Sequence, residues 1–346
     1  MDFQTLSTVA YLDRLYRSTP RQLAFSATTA AEAARWRSRL RRKLVQLIGG
    51  FPAERVPLKP ELVETVDGPD YRREKLYLQS EPGVRIPLYV LVPHHDPPYR
   101  AVVALHGHGT WGVLSVLGLA NRPEHQKHIE RTNYDFAHQL ARHGFLVFAP
   151  EQRGFGERME HEPGRRFGDW EFTSSCLPAS LNALLLGRSM QAMRVWDVKR
   201  VLDYIATRPE PITKRIGCVG LSGGATVTVF SAALDQRIAV AVVSGYLNLF
   251  RTCIMAMEHC VDNYVPGILH YAEMPDVVGL IAPRPLLVEC GTKDAIFPIA
   301  GAREAYRQLR RIYRVYGASE RLAMDEFEGE HRWSGRLAYD WLDQWL

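Results

Sequence analysis

Arg215-Ile216-Gly217-Cys218-Val219-Gly220-Leu221-Ser222-Gly223-Gly224 is the stretch on which the reading of this chain turns. Its first half is a short apolar run of the kind that forms a buried strand, and Gly220 to Gly224 then fits G-x-S-x-G. The residues that follow, Gly223 to Phe230, read as a helix, so the local context is strand, sharp turn, helix. A serine at such a turn is held in strained backbone, and glycines around it avoid Cβ clashes. The hydroxyl then stands clear of the sheet, and the amide of Gly223 faces the place where an oxyanion would develop. On its own the pattern also fits an ordinary glycine-rich strand-to-helix turn.

A serine hydroxyl needs an adjacent base, and the base needs an orienting carboxylate. Pro285 to Cys290 is an apolar run ending in the turn Gly291-Thr292-Lys293-Asp294, which presents Asp294 at a strand end. Leu322 to Phe327 alternates as a last strand, and Glu328-Gly329-Glu330-His331 follows it as a loop. Asp294 is thus the candidate acid and His331 the candidate base. Each has a plainer reading, Asp294 as a turn cap and His331 as a solvated loop histidine. The order serine, acid, histidine at three strand ends favours the catalytic one.

Another glycine-rich loop lies upstream. Ala101 to Leu105 reads as a buried strand running into His106-Gly107-His108-Gly109, and the amide of His108 is the favoured second oxyanion donor, with that of Gly109 as competitor. His106 and His108, as an i, i+2 pair without a third ligand, are not expected to bind a metal. Gly144 to Pro150 is the next strand, followed by Glu151-Gln152-Arg153-Gly154-Phe155-Gly156, where Arg153 is expected to tie down the turn through backbone carbonyls. Arg188 to Thr207 should be a core helix before the nucleophile strand, and Ile238 to Val243 a strand after it.

With 346 residues, 46% of them hydrophobic, the chain can bury one large core, and the alternation of strands and helices from about residue 100 onward argues for one catalytic domain. The net charge of +5 comes without a nucleic-acid-binding motif, so no nucleic-acid partner is expected, and the arginines from Arg35 to Lys43 read as a solvated helix face. Five cysteines at irregular spacing give no disulfide framework; Cys218 and Cys290 read as small core residues, and Cys253, His259 and Cys260 lack the paired spacing of a metal site. No cofactor and no metal are expected. Without a signal-like or membrane-spanning apolar run, the expected location is cytoplasmic, with no membrane partner.

Residues 1–62 are expected to form a helical extension, with helices over Thr8 to Arg17 and Thr28 to Ile48, acting as a lid or a homo-oligomer contact. Residues 63–346 form the catalytic domain, opening with antiparallel strands over Arg72 to Gln79 and Val84 to Val92. Cap elements are expected within about 156–190 and 245–283; the second, with no clear period, should cover an acyl pocket.

Taken together, LHGHG at Leu105 to Gly109, EQRGFGE at Glu151 to Glu157, RVWDVKRVLDYIATRP before the serine turn, GLSGG, and APRPLLVECGTKDAIFP around Asp294 resemble the α/β-hydrolase superfamily. The resemblance runs from about residue 70 to the end and is nearest the dienelactone hydrolase-like and acetyl xylan esterase-like branch. It implies an α/β fold, with a mostly parallel twisted sheet covered by helices on both faces. Phe155, Gly223 and Arg332 depart from the pattern of cephalosporin-deacetylating relatives, and Ser222 departs from the cysteine nucleophile of true dienelactone hydrolases. What remains is a serine carboxylesterase acting on short-chain acyl esters, among them acetyl esters of carbohydrates, through Ser222, His331 and Asp294 with Gly223 and His108 as oxyanion donors. A peptidase or amidase of the same fold, a catalytically silent hydrolase-fold binding protein, and an interaction module built on the arginine-rich helix are the alternatives.

Overall fold

The computed structural model describes residues 3–160 and 174–346. Nine strands form one sheet: β1 (Glu61–Asp67), β2 (Tyr71–Glu81), β3 (Val84–Pro93), β4 (Tyr99–Leu105), β5 (Leu146–Pro150), β6 (Pro211–Leu221), β7 (Ile238–Ser244), β8 (Leu286–Gly291) and β9 (Leu322–Phe327). Their order is β1-β2-β3-β5-β4-β6-β7-β8-β9. The pairs β1–β2, β2–β3 and β3–β5 are antiparallel, and every pair from β5–β4 to β8–β9 is parallel. The α/β-hydrolase fold expected from the sequence is the fold observed. Its six parallel strands bring the loops after β4, β5, β6, β7, β8 and β9 to one rim, where open parallel sheets place their sites.

The pleat divides the core. Ala101, Val103 and Leu105 of β4 face one side with Cys218, Val243 and Val288; Val102 and Ala104 face the other with Val219, Val242 and Leu287. On the first face pack the Ala30–Leu47, Met190–Ile205, Gly223–Leu234 and Ile299–Val315 helices; on the second lie the Phe136–Arg142 and Ala338–Trp345 helices with the fully buried Trp333. Cys218 and Cys290 are buried core residues as expected. Among the described residues, no helix is long and apolar enough to cross a membrane.

The Ala30–Leu47 helix starts at a capping box in which Thr29 accepts from the Glu32 amide and Glu32 reaches back to the Thr29 amide. Trp36, Leu40 and Leu44 join the main apolar cluster, so this helix forms part of one layer over the sheet. The arginine-rich stretch is only partly the solvated face expected of it. Arg35, Arg39 and Arg42 are exposed, but Arg37 donates to the Ala282 carbonyl at 2.7 Å and Arg41 to that of Leu280 at 3.1 Å. Those carbonyls follow the Met274–Gly279 helix, whose C-terminal end attracts cations. The Thr8–Ser18 helix is tied on by Tyr16, whose hydroxyl donates to Glu273 at 2.6 Å.

Arg153 braces its turn through carboxylates where carbonyls were expected. Its guanidinium grips both oxygens of Asp197 at 2.8 and 2.9 Å and Glu81 at 2.6 Å, while Arg158 shares the Oδ2 of Asp197 at 2.7 Å. Three segments, the β2–β3 hairpin, the loop after β5 and the Met190–Ile205 helix, are thereby locked together. The β1 strand and the helices between residues 113 and 142 carried no distinct sequence signal. Of the segment expected to form the first cap, residues 174–190 hold the Cys176–Leu185 helix, and the part from 161 to 173 lies outside the described residues.

Because Leu44 has no exposed surface, Leu44→Ala should lower unfolding free energy by about 2–5 kcal/mol, the range for emptying a leucine site in a core. Chemical denaturation with an unchanged m-value would establish the loss.

Candidate active site

At the end of β6 the chain turns through Ser222 at φ 58° and ψ −121°, backbone that a non-glycine residue rarely adopts. Two contacts hold it there. The Ser222 amide donates to the Ser244 carbonyl at the end of β7 at 3.0 Å, and the Ser222 carbonyl accepts from the Thr226 amide at 3.0 Å, beginning the next helix. The glycines are required by close approach: a Cβ on Gly224 would lie 1.9 Å from the Leu105 carbonyl oxygen, and one on Gly220 would lie 2.4 Å from the Gly224 carbonyl. Strand β4 and the Gly223–Leu234 helix thus touch backbone to backbone under the serine.

The loop after β4 lies against this turn. A Cβ on Gly107 would stand 3.1 Å from the Ser222 Cβ, and the Gly107 amide donates to the Tyr134 hydroxyl at 2.8 Å. The His108 amide nitrogen is 3.6 Å from the point a Cβ on Gly223 would occupy, so the two expected oxyanion donors are neighbours. His106 is fully buried and occupied: Nδ1 meets the Gly107 carbonyl at 2.8 Å, and Nε2 lies 3.0 Å from the Gln152 amide and 2.8 Å from Glu151.

Asp294 and His331 are joined. The Nδ1 of His331 lies 2.7 Å from Oδ2 of Asp294, while Oδ1 of the same carboxylate accepts from the amides of Ile296 at 2.8 Å and Phe297 at 2.9 Å. Asp294 therefore caps its turn and holds the histidine, one oxygen for each task. Burial alone would raise its pKa, but the hydrogen bond and charge of His331, with the two amides, hold it below the ordinary carboxylate value. The loops themselves are zipped, with the Thr292 amide donating to Phe327 at 2.9 Å and the Lys293 amide to Gly329 at 2.8 Å.

The far nitrogen of His331, Nε2, is buried and has no hydrogen-bond partner. Its ring lies beside the serine turn: a Cβ on Gly245 would be 2.9 Å from His331 Cε1 and 3.3 Å from Leu221 Cδ1. Phe297 stacks on the ring at 5.8 Å, and His259 lies 5.8 Å from Phe297.

Around His108 the structure gathers residues that sequence spacing left apart. His108 Nε2 is 3.0 Å from Asp262 Oδ2, and the same oxygen meets Arg194 at 2.5 Å and the Cys176 thiol at 3.1 Å. Cys260 donates to Cys176 at 3.1 Å. Burial disfavours a charged imidazole, yet the charge of Asp262 and the hydrogen bonds to it and to Cys176 outweigh that, raising the His108 pKa to about 10. Phe155 meets the rings of His106 and His108 edge-on at 5.4 and 5.2 Å.

Glu289, fully buried on β8, accepts from the amides of Ser334 at 3.2 Å and Gly335 at 2.9 Å and so anchors the chain just past His331. Burial pushes its pKa from 4.5 up to about 7.

The profile of the Abhydrolase family matches residues 1–331. In sequence the chain is similar to the "Putative hydrolase YtaP" of Bacillus subtilis (strain 168), 28% identical over 294 residues that cover 82% of this chain and 90% of that one. Among solved structures it is similar to a "putative acetyl xylan esterase" of Bacteroides fragilis NCTC 9343, with a TM-score of 0.76 at 19% identity over 93% of this chain and 82% of the other. It also resembles a glucuronoyl esterase from Solibacter usitatus, with a TM-score of 0.66 at 15% identity over 94% and 96% of the two chains. At these identities the solved structures speak for the fold.

Two outcomes follow from the strained turn and the buried acid. Ser222→Gly should raise stability by about 1–3 kcal/mol, the strain released when glycine takes over such backbone, as read by chemical denaturation. Because the folded-state pKa of Glu289 lies above its ordinary 4.5, the neutral carboxyl favours the fold. Its contribution is full below about pH 4.5 and is lost as the pH rises through about 7. Glu289→Gln should therefore flatten the fall in stability across that window, relative to the parent protein.

Proposed function

This chain belongs to the Abhydrolase family, and from that membership we propose that it is a serine carboxylesterase working through Ser222, His331 and Asp294. The observation that carries this reading is the His331–Asp294 hydrogen bond of 2.7 Å, which leaves Nε2 without a partner beside the strained serine turn. A base must be oriented on one nitrogen and free on the other, and that is the state of His331.

The Oγ of Ser222 attacks the ester carbonyl as His331 Nε2 takes its proton, and Asp294 keeps the Nδ1–H tautomer in place and stabilises the imidazolium. The negative charge on the former carbonyl oxygen falls to the amides of Gly223 and His108, which are neighbours in the fold. The imidazolium returns its proton to the departing alcohol. Water then attacks the acyl-enzyme, with His331 again as base, and releases the acid and the free serine.

Phe297 stacks on His331 and meets His259, and short acyl groups are the proposed acyl class. Acetyl esters of carbohydrates are the proposed substrate class, in keeping with the name of the Bacteroides fragilis relative. The catalytic domain is taken as residues 63–346.

Ser222→Ala should lower turnover of p-nitrophenyl acetate by at least about a thousandfold with the fold intact by circular dichroism. Acetyl should be preferred to longer acyl chains, and the matched anilide should be a poor substrate. Turnover surviving in Ser222→Ala would remove the serine from the chemistry.

A further inference from the structure

The cluster beside His108 contains more ligand chemistry than ester hydrolysis uses. One nitrogen, two sulfurs and one carboxylate oxygen, from His108, Cys176, Cys260 and Asp262, all lie within 4.8 Å of one another. They come from three places: the loop after β4, the first turn of the Cys176–Leu185 helix, and the Cys260–Asp262 segment of the second cap. We propose that these four side chains form a tetrahedral site for a zinc ion, fastening the His108 loop to the two cap segments.

Ligand identity comes first. Thiolate, imidazole and carboxylate are the donors zinc takes, at about 2.0–2.3 Å, which puts neighbouring ligand atoms of a tetrahedron roughly 3.3–3.8 Å apart. The separations of 3.1 Å for Cys176–Cys260, 3.1 Å for Cys176–Asp262, 3.0 Å for His108–Asp262 and 4.0 Å for Cys176–His108 bracket that range. Side-chain adjustments of about 1 Å bring a set that spans up to 4.8 Å onto one centre.

Charge and support agree. Two thiolates and one carboxylate carry three negative charges; a divalent ion and Arg194 supply three positive ones, with the imidazole neutral. Arg194 is fully buried and donates to both Asp262 at 2.5 Å and Cys176 at 3.1 Å, as an outer donor to a metal site would. Asp262 is further held at its other oxygen by Asn263 at 2.9 Å and at its carbonyl by Gln191 at 2.9 Å. An ion has a way in, because Cys260 is part-exposed and the His108 side chain is 30% exposed. Sequence spacing hid the set because no two of its ligands follow a paired-cysteine or histidine motif.

The test does not depend on the esterase reading, since it is made without substrate. Protein purified without chelator should carry one zinc per chain by elemental analysis. Reduced, metal-free protein titrated with cobalt(II) should develop a thiolate-to-cobalt charge-transfer band that saturates at one equivalent and is displaced by zinc. Zinc should also raise the melting temperature of the metal-free protein. Cys260→Ser, folded by circular dichroism, should lose the band. The proposal is overturned if the reduced parent protein gives no such band, or if Cys176 and Cys260 are alkylated equally fast with and without zinc. The parent titration decides the matter even if the variant fails to fold.

Discussion

The Leu105 carbonyl oxygen sits 1.9 Å from where a side chain on Gly224 would begin, and one on Gly220 would lie 2.4 Å from Gly224 itself. Strand β4, the end of β6 and the helix that follows therefore meet with no side chain between them. Such contact forces the chain to reverse within one residue, and Ser222 takes the strain at φ 58°. The same closeness brings the Gly107–His108 loop over the turn. The serine and the two amides proposed as oxyanion donors are placed by one backbone approach, which is why glycine occupies positions 220, 223 and 224 together.

Around that rigid centre, polar groups that would be costly to bury singly are arranged in satisfied sets. Asp197 is shared by Arg153 and Arg158, and Glu289 accepts the two amides that follow the His331 loop. Each set joins a rim loop to an element of the sheet or to a core helix. Loops at the rim are thus fixed by charge and hydrogen bonding, while the sheet beneath them is fixed by apolar packing on its two faces.

The sheet, and the places of Ser222, Asp294 and His331 after its strands, were legible because their signals are local: apolar runs of strand length ending in glycine-rich turns. Strand β9 was read at Leu322 to Phe327, and β7 within one residue, for that reason. Strand β1 was missed because all seven of its residues are exposed, so burial writes no period into it. The Arg37 and Arg41 interactions were missed because charge alone does not say which carbonyls lie within reach. Cys176 and Asp262 escaped for a similar reason. Their partners are distant in sequence and are brought together by the Cys176–Leu185 helix and the Cys260–Asp262 segment, whose contacts no local pattern encodes.

Besides the fully buried His106–Glu151 pair, two carboxylate–histidine pairs flank the serine turn, and the proposed mechanism needs one of them as its base. Asp294 holds His331 by Nδ1, with Nε2 left unpartnered; Asp262 holds His108 by Nε2, while Nδ1 lies 2.6 Å from the Cβ position of Gly223. By position alone either ring could serve. His108, however, sits where Asp262 raises its pKa to about 10, so its Nδ1 carries a proton near neutral pH. If a metal instead took Nε2, the proton of the neutral ring would still reside on Nδ1. In both states His108 presents a donor to the turn and cannot accept the serine proton, whereas His331 keeps an open lone pair on Nε2 as long as Asp294 holds the proton on Nδ1. In the proposed mechanism the division of labour follows: His331 moves protons, and His108 contributes the backbone amide that meets the charge.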